Sequence, residues 1–214
     1  MCGMSDHRGA LPSVSSKELG SRIRSLRRFS GLSTRQLAEA IAVTPNAITQ
    51  IERGAMRPSV NRLIEIVSVL DVPLSAIFDE RPASTASEFV ASANPIAADP
   101  EEARVSRAAQ VPPVGLGSRV TYRRLTPHAV RRFEMFETSY PPHTSSGAPG
   151  KYLVHRGQEI GSIISGALTI EFPGTEIVLG PRDSITFSAG RPHRVRNDGN
   201  EYAIALWVTF RGDA

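Results

Sequence analysis

The sequence predicts two domains, an all-α N-terminal domain followed by an all-β C-terminal domain. Residues 17–80 carry apolar side chains at helical spacing, separated by short turns. Residues 81–117 are rich in Ala, Pro and Ser and show little apolar periodicity, which is typical of a linker. Residues 118–214 contain short β-branched and aromatic runs separated by Gly, Pro, Asn and Asp. Many short strands at such spacing favour a sandwich or a barrel.

Composition and hydropathy indicate a folded protein and the cellular compartment in which it functions. Of its 214 residues, 40% are hydrophobic, which is enough for folded cores. The longest apolar run, Ala203–Phe210, is too short to cross a bilayer, and residues 1–16 lack the apolar segment of a signal peptide. Cys2 is the only cysteine, so neither an internal disulfide nor a cysteine-based zinc cluster can form. We therefore expect a cytoplasmic protein that is not attached to a membrane.

Positive charge is concentrated in the N-terminal domain. The chain has a net charge of +4, but residues 17–62 hold nine Lys or Arg against three Glu, a net charge of +6. Such a basic segment indicates a polyanionic partner. The alternative is a solvated helix face with no partner.

The first two helices are predicted from apolar spacing and a cap. Leu19, Ile23 and Leu26 recur at helical spacing, and Gly31 follows where the first helix should end. The segment Ser33–Gln36 has the capping-box pattern, in which the Ser hydroxyl accepts from the amide three residues later and the Gln reaches back. It predicts the start of a second, short helix.

Three further helices complete the predicted domain. Thr44 is a suitable N-cap for a third helix over Pro45–Arg53, because Pro at the first helical position loses no hydrogen bond. Ser59 caps a fourth helix, and a last turn at Leu74–Phe78 closes the core. The second and third helices are joined by a turn at Ala42–Val43, and two short helices so joined form a helix-turn-helix.

The residues of this motif resemble a known family. The segments LSTRQLAE at 32–39 and ITQIERG at 48–54, followed by RPS at 57–59, resemble the XRE-type, phage-repressor-like helix-turn-helix domain over residues 17–78. Ala42 departs from the family, which often has Gly there. A left-handed backbone at this position would cost Ala on the order of 1 kcal/mol.

The resemblance and the geometry of the motif assign roles in DNA binding. Asn46, Thr49 and Gln50 should reach base edges in the major groove, where Asn and Gln can pair with adenine. Gln36, Arg53 and Arg57 should contact phosphates. The predicted DNA-contacting set is Gln36, Thr44, Pro45, Asn46, Thr49, Gln50, Arg53 and Arg57. The resemblance also implies an ion pair between Arg27 and Glu52. The alternative is a helical bundle that binds a protein, such as a toxin.

Two motifs stand out in the C-terminal domain. The first is the segment HRGQE at 155–159, with Gly166 following it, and the second begins with GPRD at 180–183 and ends with GRPH at 190–193. With these two signatures, the region from Phe133 to Phe210 resembles a cupin, a jelly-roll barrel of two sheets.

The cupin resemblance places three candidate ligands in the barrel. Metal-holding cupins use two His and one Glu of the first signature and a His of the second. Here His155, Glu159 and His193 occupy three of these positions, and Leu153 stands where the remaining His would be. Two His and one carboxylate can still hold a divalent metal. The alternatives are polar contacts to a small ligand without metal, or structural hydrogen bonds.

Together these features predict a transcriptional regulator. A helix-turn-helix of the lambda-repressor type with five helices would bind a double-stranded DNA operator. The cupin barrel would sense a small-molecule effector or support a homodimer, since one such domain contacts a single half-site. We predict no catalytic residues. The alternative is a metal-dependent cupin enzyme, a dioxygenase or isomerase, tethered to DNA.

Overall fold

The computed structural model describes residues 14–77, 105–126 and 133–210. The first range is helical, with α1 at Ser16–Phe29, α2 at Thr34–Ala40, α3 at Pro45–Glu52 and α4 at Val60–Val69. The predicted fifth helix is a 3-10 turn at Leu74–Ile77. The all-α domain is therefore confirmed with four α-helices. No helix in the described part of the chain is long and apolar enough to cross a membrane.

The predicted caps are present and set where α2, α3 and α4 begin. Ser33 and Gln36 form the reciprocal capping box, with the Gln36 amide donating to Ser33 Oγ at 3.1 Å and the Ser33 amide donating to Gln36 Oε1 at 2.8 Å. Thr44 Oγ1 accepts from the amide of Ala47 at 3.2 Å, and Ser59 Oγ accepts from that of Arg62 at 3.2 Å. Each cap satisfies an amide that would otherwise lack a partner inside the helix.

Two turns position α3 against the rest of the domain. Ala42 has φ of 51°, so the left-handed residue expected in the α2–α3 turn is confirmed. Gly54, just after α3, has φ of 72°, and a Cβ there would lie 2.6 Å from Lys17 Cα. Only glycine fits this close approach between the end of α3 and the start of α1.

The C-terminal domain is a jelly-roll of two antiparallel sheets. The larger sheet has the strand order β1-β2-β3-β10-β5-β8, and the smaller has the order β4-β9-β6-β7. The strands of the larger sheet are β1 Val114–Gly115, β2 Thr121–Arg124, β3 Phe133–Tyr140, β5 Gln158–Ser165, β8 Ser184–Ser188 and β10 Ala203–Phe210. Those of the smaller sheet are β4 Thr144–Ser145, β6 Leu168–Phe172, β7 Thr175–Leu179 and β9 Arg194–Asn197. This architecture confirms the predicted all-β cupin fold.

The boundary between linker and barrel differs from the expectation. Residues 114–115 form β1, so the sheet begins inside the segment predicted as linker to residue 117. Val14 pairs with Val114 in a parallel bridge and donates to Pro113 O at 3.1 Å. Residues 114–115 form a strand because they pair with β2, Val114 with Tyr122 and Gly115 with Thr121, and the bridge to Val14 adds a contact from a distant part of the chain. Residues 81–104 of the predicted linker lie outside the described residues, as does Cys2.

The helical domain is docked on the barrel by hydrogen bonds at both ends of α4. Near its start, the Asn61 amide donates to Ser146 O at 3.1 Å, and Asn61 Nδ2 donates to Lys151 O at 2.9 Å. Beyond its end, the carboxylate of Glu134 accepts from the amides of Leu74 and Ser75 at 3.2 and 2.6 Å. The two domains consequently share one continuous apolar core.

Candidate nucleic-acid interface and ligand pocket

Helix α3 presents the predicted DNA-reading side chains on its outer face. Asn46 and Gln50 are exposed, whereas Ile48 and Ile51 on the opposite face are buried in the helical core. Thr49 is half-buried, and its hydroxyl donates to Pro45 O at 3.0 Å. That bond uses the only hydroxyl proton, so Thr49 offers its methyl group and an acceptor oxygen to an approaching ligand.

The residues flanking α3 are also exposed, but some of their atoms are already used. Thr44 Oγ1 caps α3, and Pro45 contributes only apolar surface. Gln36 Oε1 is held in the capping box, which leaves the Nε2 protons of its amide as donors at the start of α2. This orientation suits the predicted contact to a phosphate, which stays a prediction.

A buried ion pair holds the back of α3, as the family resemblance implies. Arg27 on α1 contacts Glu52 through Nε at 2.5 Å and through Nη2 at 3.0 Å, and its Nη1 donates to Leu32 O at 2.7 Å. The two side chains are 9% and 7% exposed. The hydrogen bond to Glu52 raises the pKa of Arg27. The predicted pair is confirmed, and it fixes α3 relative to α1 from the side opposite the reading face.

The structure divides the basic residues of this domain into two groups. Four are used inside the protein: Arg22 donates to Ile77 O, Arg27 pairs with Glu52, Arg62 contacts Ile41 O and Glu65, and Arg57 binds Ser16 and Gly115. The other five side chains are exposed, and they are Lys17, Arg24, Arg28, Arg35 and Arg53. These five exposed side chains therefore make the surface of the helical domain positively charged.

Arg57 has an internal role that the sequence did not reveal. Its Nε donates to Ser16 Oγ at 2.5 Å, and its Nη1 donates to Gly115 O at 3.2 Å, so it joins the helical domain to β1. These contacts stabilise the docking of the two domains. The predicted phosphate contact of Arg57 stays a prediction.

In the barrel, the three candidate ligands come together as the cupin signatures predicted. His155 Nε2 lies 2.6 Å from Glu159 Oε1, and His193 Nε2 lies 3.8 Å from the same oxygen. One ligand atom from each residue lies within 4.8 Å of the other two. Their side chains are 10%, 11% and 2% exposed. The cluster forms because Glu159 lies on β5 while His193 directly precedes β9 in the facing sheet.

The histidine rings are oriented by backbone carbonyls. His193 Nδ1 lies 2.8 Å from Arg191 O, and since a carbonyl only accepts, Nδ1 must carry the proton. Burial lowers the pKa of His193, which favours the neutral ring with a lone pair on Nε2. His155 Nδ1 similarly lies 3.2 Å from Arg156 O. Both Nε2 atoms therefore converge on Glu159, and this donor set fits a divalent cation bound through two imidazoles and one carboxylate.

Leu153 occupies the wall of this site where a further ligand would stand. It is buried and pairs with His193 through two backbone hydrogen bonds, Leu153 N to His193 O at 2.7 Å and His193 N to Leu153 O at 3.0 Å. Its backbone thus keeps the position of a ligand residue, while its side chain adds apolar surface. The site therefore has three candidate metal ligands, which are His155, Glu159 and His193.

The cluster lies in a cavity of about 1360 Å³ that is lined by both domains. Four aromatic residues contribute to its barrel wall, and they are Tyr122, Phe136, Tyr140 and Trp207. Burial raises the pKa of Tyr122 and Tyr140, so their hydroxyls stay protonated at neutral pH. The opposite wall comes from α4 and the turn after it, with Ile64, Val67 and Asp71 among its residues.

The wall that α4 contributes to the cavity, and the residues that hold α4 there, were not predicted from the sequence. Glu134, Asn61 and the four aromatic residues were not identified as parts of a site. The alternation of β3 predicts that Glu134 points inward with Phe136, and a carboxylate at an inward position is a signal that could have been used.

Comparisons with known proteins agree with both halves of this description. Residues 18–77 match the model of a helix-turn-helix domain, and residues 136–209 match the model of the cupin domain. The HTH-type transcriptional regulator PuuR of Escherichia coli is 24% identical over 180 residues, which cover 83% of this chain and 86% of PuuR. An uncharacterized HTH-type transcriptional regulator of Sinorhizobium medicae is 38% identical over 64 residues, 30% of this chain and 46% of that protein.

A solved structure resembles almost the whole chain. It is that of an HTH_3 family transcriptional regulator from Vibrio cholerae, with a TM-score of 0.63 and 20% sequence identity. The likeness covers 92% of this chain and 97% of that one. At this identity the likeness shows the fold, in which a helical domain and a barrel stand in the same order.

Proposed function

We infer that this chain is a DNA-binding transcriptional regulator of the XRE helix-turn-helix type with a C-terminal cupin domain, and we propose how each domain acts. In this proposal α3 reads a double-stranded DNA operator in the cytoplasm. The cupin cavity binds a small-molecule effector through His155, Glu159 and His193. The observation that carries the DNA-binding role is the exposed face of α3, held from behind by the buried Arg27–Glu52 pair.

Base reading is assigned to Asn46 and Gln50. Both are exposed near the start and middle of α3, and their amides carry the paired donor and acceptor that match N6 and N7 of adenine. The five exposed basic side chains would contact phosphates, which set register and salt dependence.

Phosphate contact by Arg53 can be tested through the salt dependence of binding. We expect Arg53→Ala to weaken binding to all duplexes by a similar factor and to reduce the slope of log K against log salt concentration by about one. Fluorescence anisotropy of labelled duplexes at several salt concentrations measures both effects. Lys151→Ala, which removes one positive charge from the barrel, is the control and should leave the slope unchanged. Equal slopes for Arg53→Ala and wild type would remove Arg53 from the interface.

A homodimer is part of the proposal. One helix-turn-helix contacts one half-site, and dimers bind two half-sites about one helical turn apart. The outer face of the larger sheet supports this assembly, because Phe133, Ile160 and Phe210 there are 36%, 38% and 41% exposed. The rings of Phe133 and Phe210 pack side by side at 6.1 Å, forming one apolar patch that a second copy of the chain would cover.

The effector pocket is proposed to bind rather than to react. His155, Glu159 and His193 would hold a divalent metal through two Nε2 atoms and a carboxylate oxygen, and a metal there would supply a positive charge for an effector's donor atoms. Leu153 removes one of the ligands that metal-holding cupins use, which is why binding is favoured over the metal-dependent enzyme. Without metal, the same three side chains would bind the effector by hydrogen bonds.

Metal binding by this cluster can be measured directly. We expect the full-length protein to bind about one Ni²⁺ per chain in isothermal titration, and His193→Ala to weaken this binding tenfold or more because one of three ligands is lost. His143→Ala is the matched control, since His143 is exposed and its Nε2 contacts only Asn200 among the bonds described. Absence of Ni²⁺ binding by the wild type would contradict the metal role and leave direct binding of the effector.

A further inference from the structure

Helix α4 crosses the mouth of the barrel and is held at both ends. Asn61, in its first turn, donates its backbone amide and its Nδ2 to carbonyls of the barrel, Ser146 O and Lys151 O. Beyond the other end of α4, the buried carboxylate of Glu134 accepts from the amides of Leu74 and Ser75. These polar contacts hold both ends of α4 and accompany the continuous apolar core that the two domains share.

Between these two ends, the outward side of α4 faces the cavity. Val60, Ile64, Val67 and Ser68 line the same cavity as His155 and the other two candidate ligands. Ile64 is half-buried and Ser68 is exposed, so their side chains border open space instead of packed protein. The helix thus forms one wall of the pocket whose opposite end holds the cluster of His and Glu.

The polarity of the cavity changes along its length. The triad lies at the barrel end, whereas the α4 wall presents aliphatic side chains with Ser68 and Asp71 at its rim. Trp207 and Phe136 add apolar surface to the same lining, and Glu134, whose carboxylate is held by the amides beyond the end of α4, is also part of it. A ligand that matches this arrangement has one polar or metal-binding head and an apolar body.

We propose that the effector site is composite: a small molecule with a polar head at His155, Glu159 and His193 lays its apolar body against α4, so that the DNA-binding domain itself forms part of the effector site. This inference rests on the proposed function, because it takes the cupin cavity as the effector pocket. It adds that the effector contacts the helical domain directly, without a signal relayed through the barrel.

Contact with α4 gives the effector a means to change DNA binding. Leu63 and Ile66 of α4 are buried in the apolar core that also contains Ile48 of α3. Arg62 of α4 donates to Ile41 O at the end of α2, so a displacement of α4 reaches the helix-turn-helix through these contacts. An effector that displaces α4 from the barrel therefore turns the reading helix as well. In a dimer the two reading helices must match half-sites about one helical turn apart, so a small rotation weakens binding to the full operator.

The proposal can be tested without knowing the effector, by filling the cavity from each wall. We expect Ser68→Phe on α4 and Val154→Phe on the barrel side to lower the affinity of the full-length protein for a two-half-site operator at least fivefold. Both positions line the cavity and are exposed, so neither substitution has to displace a buried side chain. Affinity for a duplex with a single half-site should change less than twofold, because the reading face of α3 is intact.

Two controls accompany the cavity variants. Ser25→Phe on α1 and Val178→Phe on β7 place the same side chain at exposed positions outside the cavity lining, and both should bind the full operator like the wild type. Trp207 is the only tryptophan of the chain and lines the cavity, so a change of its emission in the cavity variants but not in the controls confirms where the added ring lies.

Each other outcome contradicts the composite site in a recognisable way. Unchanged affinity of both cavity variants for the full operator, with the wild type still binding it, would show that cavity occupancy does not reach the DNA-binding domain. An equal loss on full and single half-site duplexes would show damage to the reading domain instead of reorientation. Failure of the proposed function itself is separate, because the wild type would then bind no operator at all.

Discussion

Replacing Glu52 by Ala is expected to destabilise the helical domain by about 3–5 kcal/mol. Glu52 and Arg27 are both buried, and removal of the carboxylate leaves the Arg27 guanidinium charged and without its main partner. The loss should appear as a shift of the helical signal in denaturant unfolding monitored by circular dichroism. Trp207 fluorescence reports on the barrel core in the same experiment, so the two signals show whether the barrel loses its structure together with the helices.

The exposed Arg62–Glu65 pair provides the control for this result. Its side chains are 30% and 36% exposed, so Glu65→Ala should cost no more than about 1 kcal/mol. The double variant Arg27→Met/Glu52→Met should recover part of the loss, because it leaves no buried charge unpaired. A smaller effect of Glu52→Ala than of Glu65→Ala would contradict the view that this pair holds α3 in place.

Asn46→Ala and Gln50→Ala are each expected to relax the preference for one base pair of the operator by about 1–3 kcal/mol. Each substitution removes an amide that pairs with a base edge, and both side chains are exposed, so stability should hardly change. Competition binding with operators altered at single positions measures this preference. Arg53→Ala is the matched comparison, because losing a phosphate contact lowers affinity without changing the preferred sequence. Unchanged preference in both amide variants would exclude them as readers.

Local sequence patterns predicted the helical domain well. The caps at Ser33, Thr44 and Ser59 depend only on residues within a few positions along the chain, whereas the left-handed backbone at Ala42 was expected from the family resemblance. β3 lies in one of the short aromatic and β-branched runs that were predicted as strands between residues 118 and 214. The Arg27–Glu52 ion pair was predicted from the family resemblance. Local patterns could not predict it, because the two residues are 25 positions apart in the sequence.

Features that depend on the packing of distant segments were not predicted. The parallel bridge between Val14 and Val114 was not predicted, and two-residue strands such as β1 and β4 carry too little periodicity to detect. Arg57 follows a motif that suggests phosphate contact, yet its partners Ser16 and Gly115 come from elsewhere in the chain. The sequence contains no local sign of such docking.

The candidate ligand cluster was predicted from sequence, but its surroundings were not. His155, Glu159 and His193 stand at characteristic positions of the two cupin signatures, so their convergence follows from the fold. The contribution of α4 to the cavity depends instead on how the two domains pack together. For this reason the composite character of the pocket became visible only in the structure.

Selection of duplexes from a random DNA pool by the full-length protein, at near-physiological salt, tests most directly that this chain reads DNA sequence through α3. We predict enrichment of an inverted repeat whose half-sites lie about one helical turn apart, bound by a dimer. Recovery of no preferred sequence by the full-length protein would contradict sequence-specific reading by α3.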